Sequence, residues 1–165
     1  MRLFIGIKID QKAQKKINGY FNFFYENKVS GNYMKLSNLH MTLVFLGETD
    51  ERKVSTIKDI ISNINLKIDS IKIAKTAMLK DILVGEVVKG PELEEIYQTL
   101  KKELKKIGFT FEDGKLYPHV TLIRKVNNQE KFVDKEMNIV SYFDHITLFE
   151  SKRINNELIY VDLGK

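Results

Sequence analysis

The sequence predicts one domain of strands and helices built as two related β-α-β halves. Two observations carry that expectation. Strand-like and helix-like patterns alternate along all 165 residues, with no Pro/Ser-rich linker between them. A single offset of 79 residues also aligns the chain with itself: His40-Met41-Thr42-Leu43 recurs as His119-Val120-Thr121-Leu122. The same offset carries Gly6 onto Gly85 inside two similar strands, and Ile17 and Phe21 onto Ile96 and Leu100 inside two helices. One register shared by a strand, a helix and a four-residue motif argues for an internal duplication, with halves of about 1–79 and 80–165 forming a single domain over 1–165.

The elements follow in order. Arg2–Ile9 is an apolar run that reads as a buried strand. Asp10 caps a helix to about Asn27, with Ala13, Ile17, Tyr20 and Phe24 on one face. Asn38–Leu46 is a strand, and Asp50–Ile64 a helix with an isoleucine-rich stripe. Leu66–Leu79 is extended and Asp81–Val88 is a buried strand. Pro91–Ile107 has the strongest helix signature. Pro stands in its first turn, Glu92, Glu94 and Glu95 at its positive end, lysines toward the other end, and Gly108 follows as a cap. His119–Lys125 is a strand, Gln129–Met137 a short helix, and Ile139–Glu150 and Glu157–Leu163 are closing strands.

Composition excludes several classes. A chain this long can bury about 70% of its unfolded surface, enough for a core without disulfides. With no Cys, there is no disulfide framework, thiolate metal site or Cys nucleophile, and the expected compartment is the reducing cytoplasm. No apolar run approaches a membrane span, and Leu3–Ile7 is too short for a signal peptide, so no membrane partner is expected. The formal charge of +5 favours acidic ligands, RNA and nucleotides among them, although lysines supply most of it and suit a solvated surface equally. No H-E-x-x-H motif or clustered ligand set points to a metal, and no P-loop, G-x-G-x-x-G or G-x-S-x-G motif is present.

The repeated H-x-T carries the chemistry. Residues i and i+2 of a strand share a face, so His40 pairs with Thr42 and His119 with Thr121. Two halves packed with pseudo-twofold symmetry would bring two imidazoles and two hydroxyls to one cleft. Phosphodiester hydrolysis needs one group to activate water and another to protonate the leaving oxygen. Imidazole titrates near neutral pH and suits both tasks, and Thr hydroxyls can donate to the phosphate oxygens where charge builds.

NLHMTLVFLGE and YPHVTLIR resemble the two signature motifs of the two-histidine phosphoesterase superfamily, and within it the LigT-like RNA 2′,3′-cyclic phosphodiesterases, also called 2′-5′ RNA ligases. The opening RLFIGIKI and the closing TLFESKRINNELIYVDL are similar to that family's ends. The resemblance implies a bilobal α+β fold of duplicated β-α-β halves, with antiparallel sheets lining a central cleft. It implies cofactor-free, metal-independent hydrolysis of an RNA terminal 2′,3′-cyclic phosphate to a 2′-phosphomonoester. His40 would be the proton donor and His119 the acceptor, with Thr42 and Thr121 on the phosphate. It further implies Phe45 as a base-stacking residue and Arg124 near the phosphate, each five residues after its His. Strict strand alternation would turn both away from the cleft. The family often carries a basic residue where Val44 stands, so one cation is expected to be missing. Partners would be RNA with a cyclic phosphate end or a small cyclic nucleotide, met by a monomer. Other readings are a phosphodiesterase or ligase for 2′-5′-linked or other small nucleotides, and a non-catalytic RNA- or nucleotide-binding module.

Three further features take plainer readings. The aromatic run Tyr20–Tyr25 has helical spacing and reads as core plus interface, and Lys35 reads as a solvated cation. His145-Ile146-Thr147-Leu148 is a third H-x-T-L, but no repeat register supports it and Glu150 stands five residues on. It is expected to be a non-catalytic His on a late strand, with Ile146 and Leu148 packed inward.

Overall fold

The computed structural model describes residues 1–127 and 132–165. Strand β1 (Arg2–Lys8) is followed by helix α1 (Gln11–Glu26), the short β2 (Asn32–Tyr33), β3 (His40–Glu48) and α2 (Val54–Ser62). Then come β4 (Ser70–Leu79), β5 (Ile82–Val87), α3 (Pro91–Lys105), β6 (His119–Arg124), β7 (Glu136–Tyr142), β8 (Thr147–Ile154) and β9 (Glu157–Asp162). The strands run in the order β7-β4-β5-β6-β3-β1-β8-β9, with β2 beside β6, and every pairing is antiparallel.

This order is symmetric about its centre. β3-β1-β8-β9 forms one lobe and β6-β5-β4-β7 the other, and the two meet through the single pair Met41–Val120. The lobes are not the two halves of the chain. β4 joins the second lobe although it precedes residue 80, and β8 and β9 return to complete the first. A cut at 79/80 therefore falls inside the β4–β5 hairpin, where Leu79 pairs with Ile82.

Local chemistry explains the elements. Leu3, Ile5 and Ile7 of β1 are wholly buried, each contributing about 1.5–3 kcal/mol. Asp10 caps α1 by accepting from the Ala13 amide at 2.7 Å. Its second oxygen accepts from the Tyr142 amide at 2.7 Å, tying α1 to β7 of the other lobe. The buried face of α1 uses Phe21 rather than Tyr20, whose hydroxyl instead donates to the Glu136 carbonyl. Pro91 opens α3 and Gly108, with φ of 103°, lies just beyond it. Asn155 and Asn156, both at positive φ, form the two-residue turn that folds β8 onto β9.

Two expectations are corrected. The strand expected over Ile139–Glu150 is two strands, β7 and β8, on different lobes, separated by a bend at Asp144–His145. The short helix expected over Gln129–Met137 falls partly outside the described residues, and its end, Glu136–Met137, begins β7. Among the described residues, no helix is long and apolar enough to cross a membrane.

Candidate active site

A cleft of about 740 Å³ lies between the lobes, and all six residues singled out from the sequence line it: His40, Thr42, Phe45, His119, Thr121 and Arg124. The two H-x-T strands are the neighbours at the centre of the sheet, so their side chains converge.

Both histidines are anchored by the same device. His40 Nδ1 lies 2.7 Å from the Asn38 carbonyl and His119 Nδ1 lies 2.8 Å from the Tyr117 carbonyl, in each case two residues upstream. A carbonyl only accepts, so Nδ1 carries the hydrogen in both rings and Nε2 is the basic nitrogen. His40 Nε2 is 3.1 Å from Thr42 Oγ1. Asn38 is itself fixed to β9, since its Nδ2 donates to the Leu158 carbonyl and its Oδ1 accepts from the Tyr160 amide.

The surroundings of the two rings differ. His40 sits among Phe4, Phe149 and Tyr160, with ring centroids 4.8, 5.9 and 4.9 Å away. Burial there pushes its pKa down to about 4, against the opposing pull of the Asn38 carbonyl, and the nearby charges of Arg124 and His119 lower it further. His119 stacks on Tyr117 at 5.0 Å. The Tyr117 hydroxyl donates to Glu86 Oε2 at 2.8 Å, and burial together with that carboxylate pushes the phenol up to about 12.

Phe45 and Arg124 reach the cleft because each H-x-T strand carries a bulge. On β1, Gly6 pairs with Thr42 and Ile5 with Val44, so Leu43 has no partner. On β5, Val84 pairs with Thr121 and Leu83 with Ile123, so Leu122 has none. The two skipped residues are related by the same 79-residue offset. Each bulge puts two consecutive residues into the core, Leu43–Val44 and Leu122–Ile123, and reverses the alternation beyond them. Phe45 then returns to the cleft side at 64% exposure. Strict alternation fails here for that reason. Val44 is buried behind the bulge, so no cation stands at that position.

The family described as LigT like Phosphoesterase matches residues 7–89 of the chain. This protein belongs to the LigT-like phosphoesterase family. The chain is 29% identical to the RNA 2′,3′-cyclic phosphodiesterase of Methanocaldococcus jannaschii, over 97% of this chain and 96% of the relative. It is 28% identical to the enzyme of that name from Thermotoga maritima, over 75% of this chain and 70% of the relative. The crystal structure of apo E. coli LigT superposes with a TM-score of 0.86 at 20% identity, covering 99% of this chain and 94% of that one. The same protein complexed with 3′-AMP gives 0.86 at 19% identity, covering 99% and 95%. This LigT-like chain therefore shares its whole fold with those structures.

The remaining sequence features lie elsewhere. His145 is not on a strand. It occupies the bend before β8, with Nδ1 bonded to the Asp144 carboxylate, in a smaller depression with Lys8, Gln14 and Tyr142. Ile146 and Leu148 beside it are buried, as expected. Lys35 is exposed and pairs with Glu157 at 3.0 Å. In the aromatic run Phe21 and Phe24 are core, while Phe23 and Tyr25 are exposed. Among the described residues, no three His, Asp or Glu side chains group as a metal centre would require.

Sequence reasoning missed the supports: Asn38, Phe4, Tyr160, and the Tyr117–Glu86 pair. It also missed three cations that line the cleft, Arg2, Lys152 and Arg153. The 79-residue offset carries Asn38 onto Tyr117, the two carbonyl anchors, and so held a signal for them.

Proposed function

We propose that this protein hydrolyses the terminal 2′,3′-cyclic phosphate of RNA to a 2′-phosphomonoester, using His40 and His119 as an acid–base pair. The observation that carries this is the convergence of two carbonyl-anchored H-x-T pairs, each followed by a bulge, in one cleft. Membership of the family, and a relative named for this activity that matches over nearly the whole chain, support the substrate class.

In the proposed reaction water attacks phosphorus in line with the 3′-oxygen. A P–O bond forms to water and the P–O3′ bond breaks. His119 takes the proton released by water, and His40 delivers a proton to O3′. Thr42 and Thr121 donate to the non-bridging oxygens, where negative charge grows. His40 is neutral at neutral pH. A bound cyclic phosphate brings one negative charge to Nε2, which favours the imidazolium that a donor must be. Phe45, exposed at the edge of the cleft, offers a ring for the terminal base, and Arg124 offers its guanidinium to the phosphate.

The test is turnover of uridine 2′,3′-cyclic phosphate with the product isomer identified by ³¹P NMR, with and without EDTA. Hydrolysis to the 2′-phosphate that survives EDTA is expected, and His40→Ala and His119→Ala should each lose roughly 10²–10⁴-fold. Near-wild-type turnover in either variant, or loss of activity in EDTA, overturns the reading.

A further inference from the structure

We propose that the cleft continues past His40 into a second phosphate subsite formed by Arg2 and Arg153, which holds the RNA phosphate preceding the cyclic one. This rests on the phosphodiesterase reading and adds that the preferred substrate is an oligonucleotide rather than a mononucleotide.

The argument starts from register. Along β1, Lys8 pairs with His40, Gly6 with Thr42, Phe4 with Phe45 and Arg2 with Glu48. Travelling from the histidine toward Arg2, the cleft therefore meets Thr42, then the Phe45 ring, then a guanidinium. On the other side of β1, Phe4 pairs with Phe149 of β8, and their rings stack at 5.0 Å. Alternation puts Ser151 and Arg153 on the same face as Phe149, about 7 and 14 Å further along at 3.4 Å per residue. Both line the cleft, with Leu158 and Tyr160 of β9 beside them. The floor thus leads from His40 over apolar rings to two arginines.

Charge and chemistry agree with this placement. Among the described residues, the Arg2 guanidinium makes no ion pair, and Arg153 donates only to the Asn156 carbonyl at 3.2 Å. Lys152, which also lines the cleft, is already paired with Glu150 at 3.5 Å and is not needed. Two unpaired guanidiniums on a cleft wall suit phosphate, which accepts their forked donors.

The side of the cleft also fits. In an in-line displacement the leaving 3′-oxygen and the attacking water lie on opposite sides of phosphorus. If His40 protonates O3′, the ribose and everything 5′ of it lie on the His40 side. Arg2 and Arg153 both belong to that lobe. At the place matching Arg2 in the other lobe, 79 residues on, stands Asp81. The His119 side therefore has no counterpart of the Arg2 guanidinium at that position.

The test compares kcat/KM for a uridine trinucleotide ending in a 2′,3′-cyclic phosphate with that for uridine 2′,3′-cyclic phosphate, as a ratio within each variant. Wild type should favour the trinucleotide. Arg2→Gln and Arg153→Gln should each lower the ratio by about tenfold, the order of one charge-assisted hydrogen bond. Each should also flatten the salt dependence of trinucleotide kcat/KM by about 0.7 in log–log slope. Arg52→Gln, which does not line the cleft and is paired with Asp50, should leave the ratio unchanged. Turnover of both substrates with ratio and salt slope unaltered in Arg2→Gln and Arg153→Gln overturns the subsite alone. Turnover of neither substrate overturns the phosphodiesterase reading and the subsite with it.

Discussion

Neutralising His40 by substitution should remove a defined part of the protein's sensitivity to acid. In the unfolded chain its imidazole titrates at the ordinary value near 6.5, whereas in the folded protein burial holds it at about 4. Between these values the unfolded state binds a proton that the folded state refuses, so stability falls as pH falls from 6.5 to 4 and is fully present above 6.5. The whole effect is about 3 kcal/mol, and between pH 7 and pH 4.5 about 2 kcal/mol is lost. For a domain of this size that corresponds to roughly 4–8 °C in Tm. The assay is urea unfolding of wild type and His40→Gln at pH 7 and pH 4.5, because the carboxylates that also protonate are common to both proteins. Wild type should lose about 2 kcal/mol more than the variant over that interval. A ¹⁵N NMR titration of His40 Nε2 gives the same answer directly, with a midpoint near 4 that rises when phosphate is added. Equal acid losses in the two proteins, or a midpoint in the ordinary histidine range, would refute the argument from burial among Phe4, Phe149 and Tyr160.

Three other outcomes are expected. Thr42→Val and Thr121→Val keep shape and remove a donor, so each should lower kcat by roughly 10-fold or more with little change in KM; a change confined to KM would reassign them to ground-state binding. Gly6→Ala would set a methyl 2.6 Å from the Met41 carbonyl oxygen, a backbone atom next to His40. It should cost about 1–3 kcal/mol of stability by overpacking and lower kcat, read by urea unfolding and turnover, and wild-type values for both would contradict the close packing seen at the bulge. His145→Ala should leave kcat within a few-fold, since that ring lies outside the cleft; a loss matching His119→Ala, with circular dichroism intact, would mean that the wrong histidines have been paired.

Much of the architecture was legible because it rests on local chemistry. The Asp10 cap, the Pro91 start and the apolar run of β1 act within a few residues of themselves. The repeat register was legible because both copies of H-x-T face one cleft. What was not legible depends on pairing between distant segments. The bulges at Leu43 and Leu122 exist only in the register of β3 against β1 and β6 against β5, so strict alternation sent Phe45 and Arg124 to the wrong face. The run Ile139–Glu150 has strand-like composition throughout, and only its two different partners, β4 and β1, break it at Asp144–His145. Arg2 and Arg153 are 151 residues apart in sequence, with nothing local to join them.

The interleaving of the lobes bears on the order in which the protein can assemble. β4, β5, β6 and β7 lie within residues 70–142, so the second lobe is one nearly continuous stretch with neighbouring partners. The first lobe is different, because β1 waits for β8, which follows almost the whole of the chain. Ribosomal synthesis runs from the N-terminus, so β1 and β3 emerge early with one edge unpaired, and such long-range pairing is slow and exposes strand edges in the meantime. Phe149 and Tyr160, which dry the His40 ring, belong to that last hairpin. The histidine is thus made early, but its chemical character is conferred by some of the last residues to arrive.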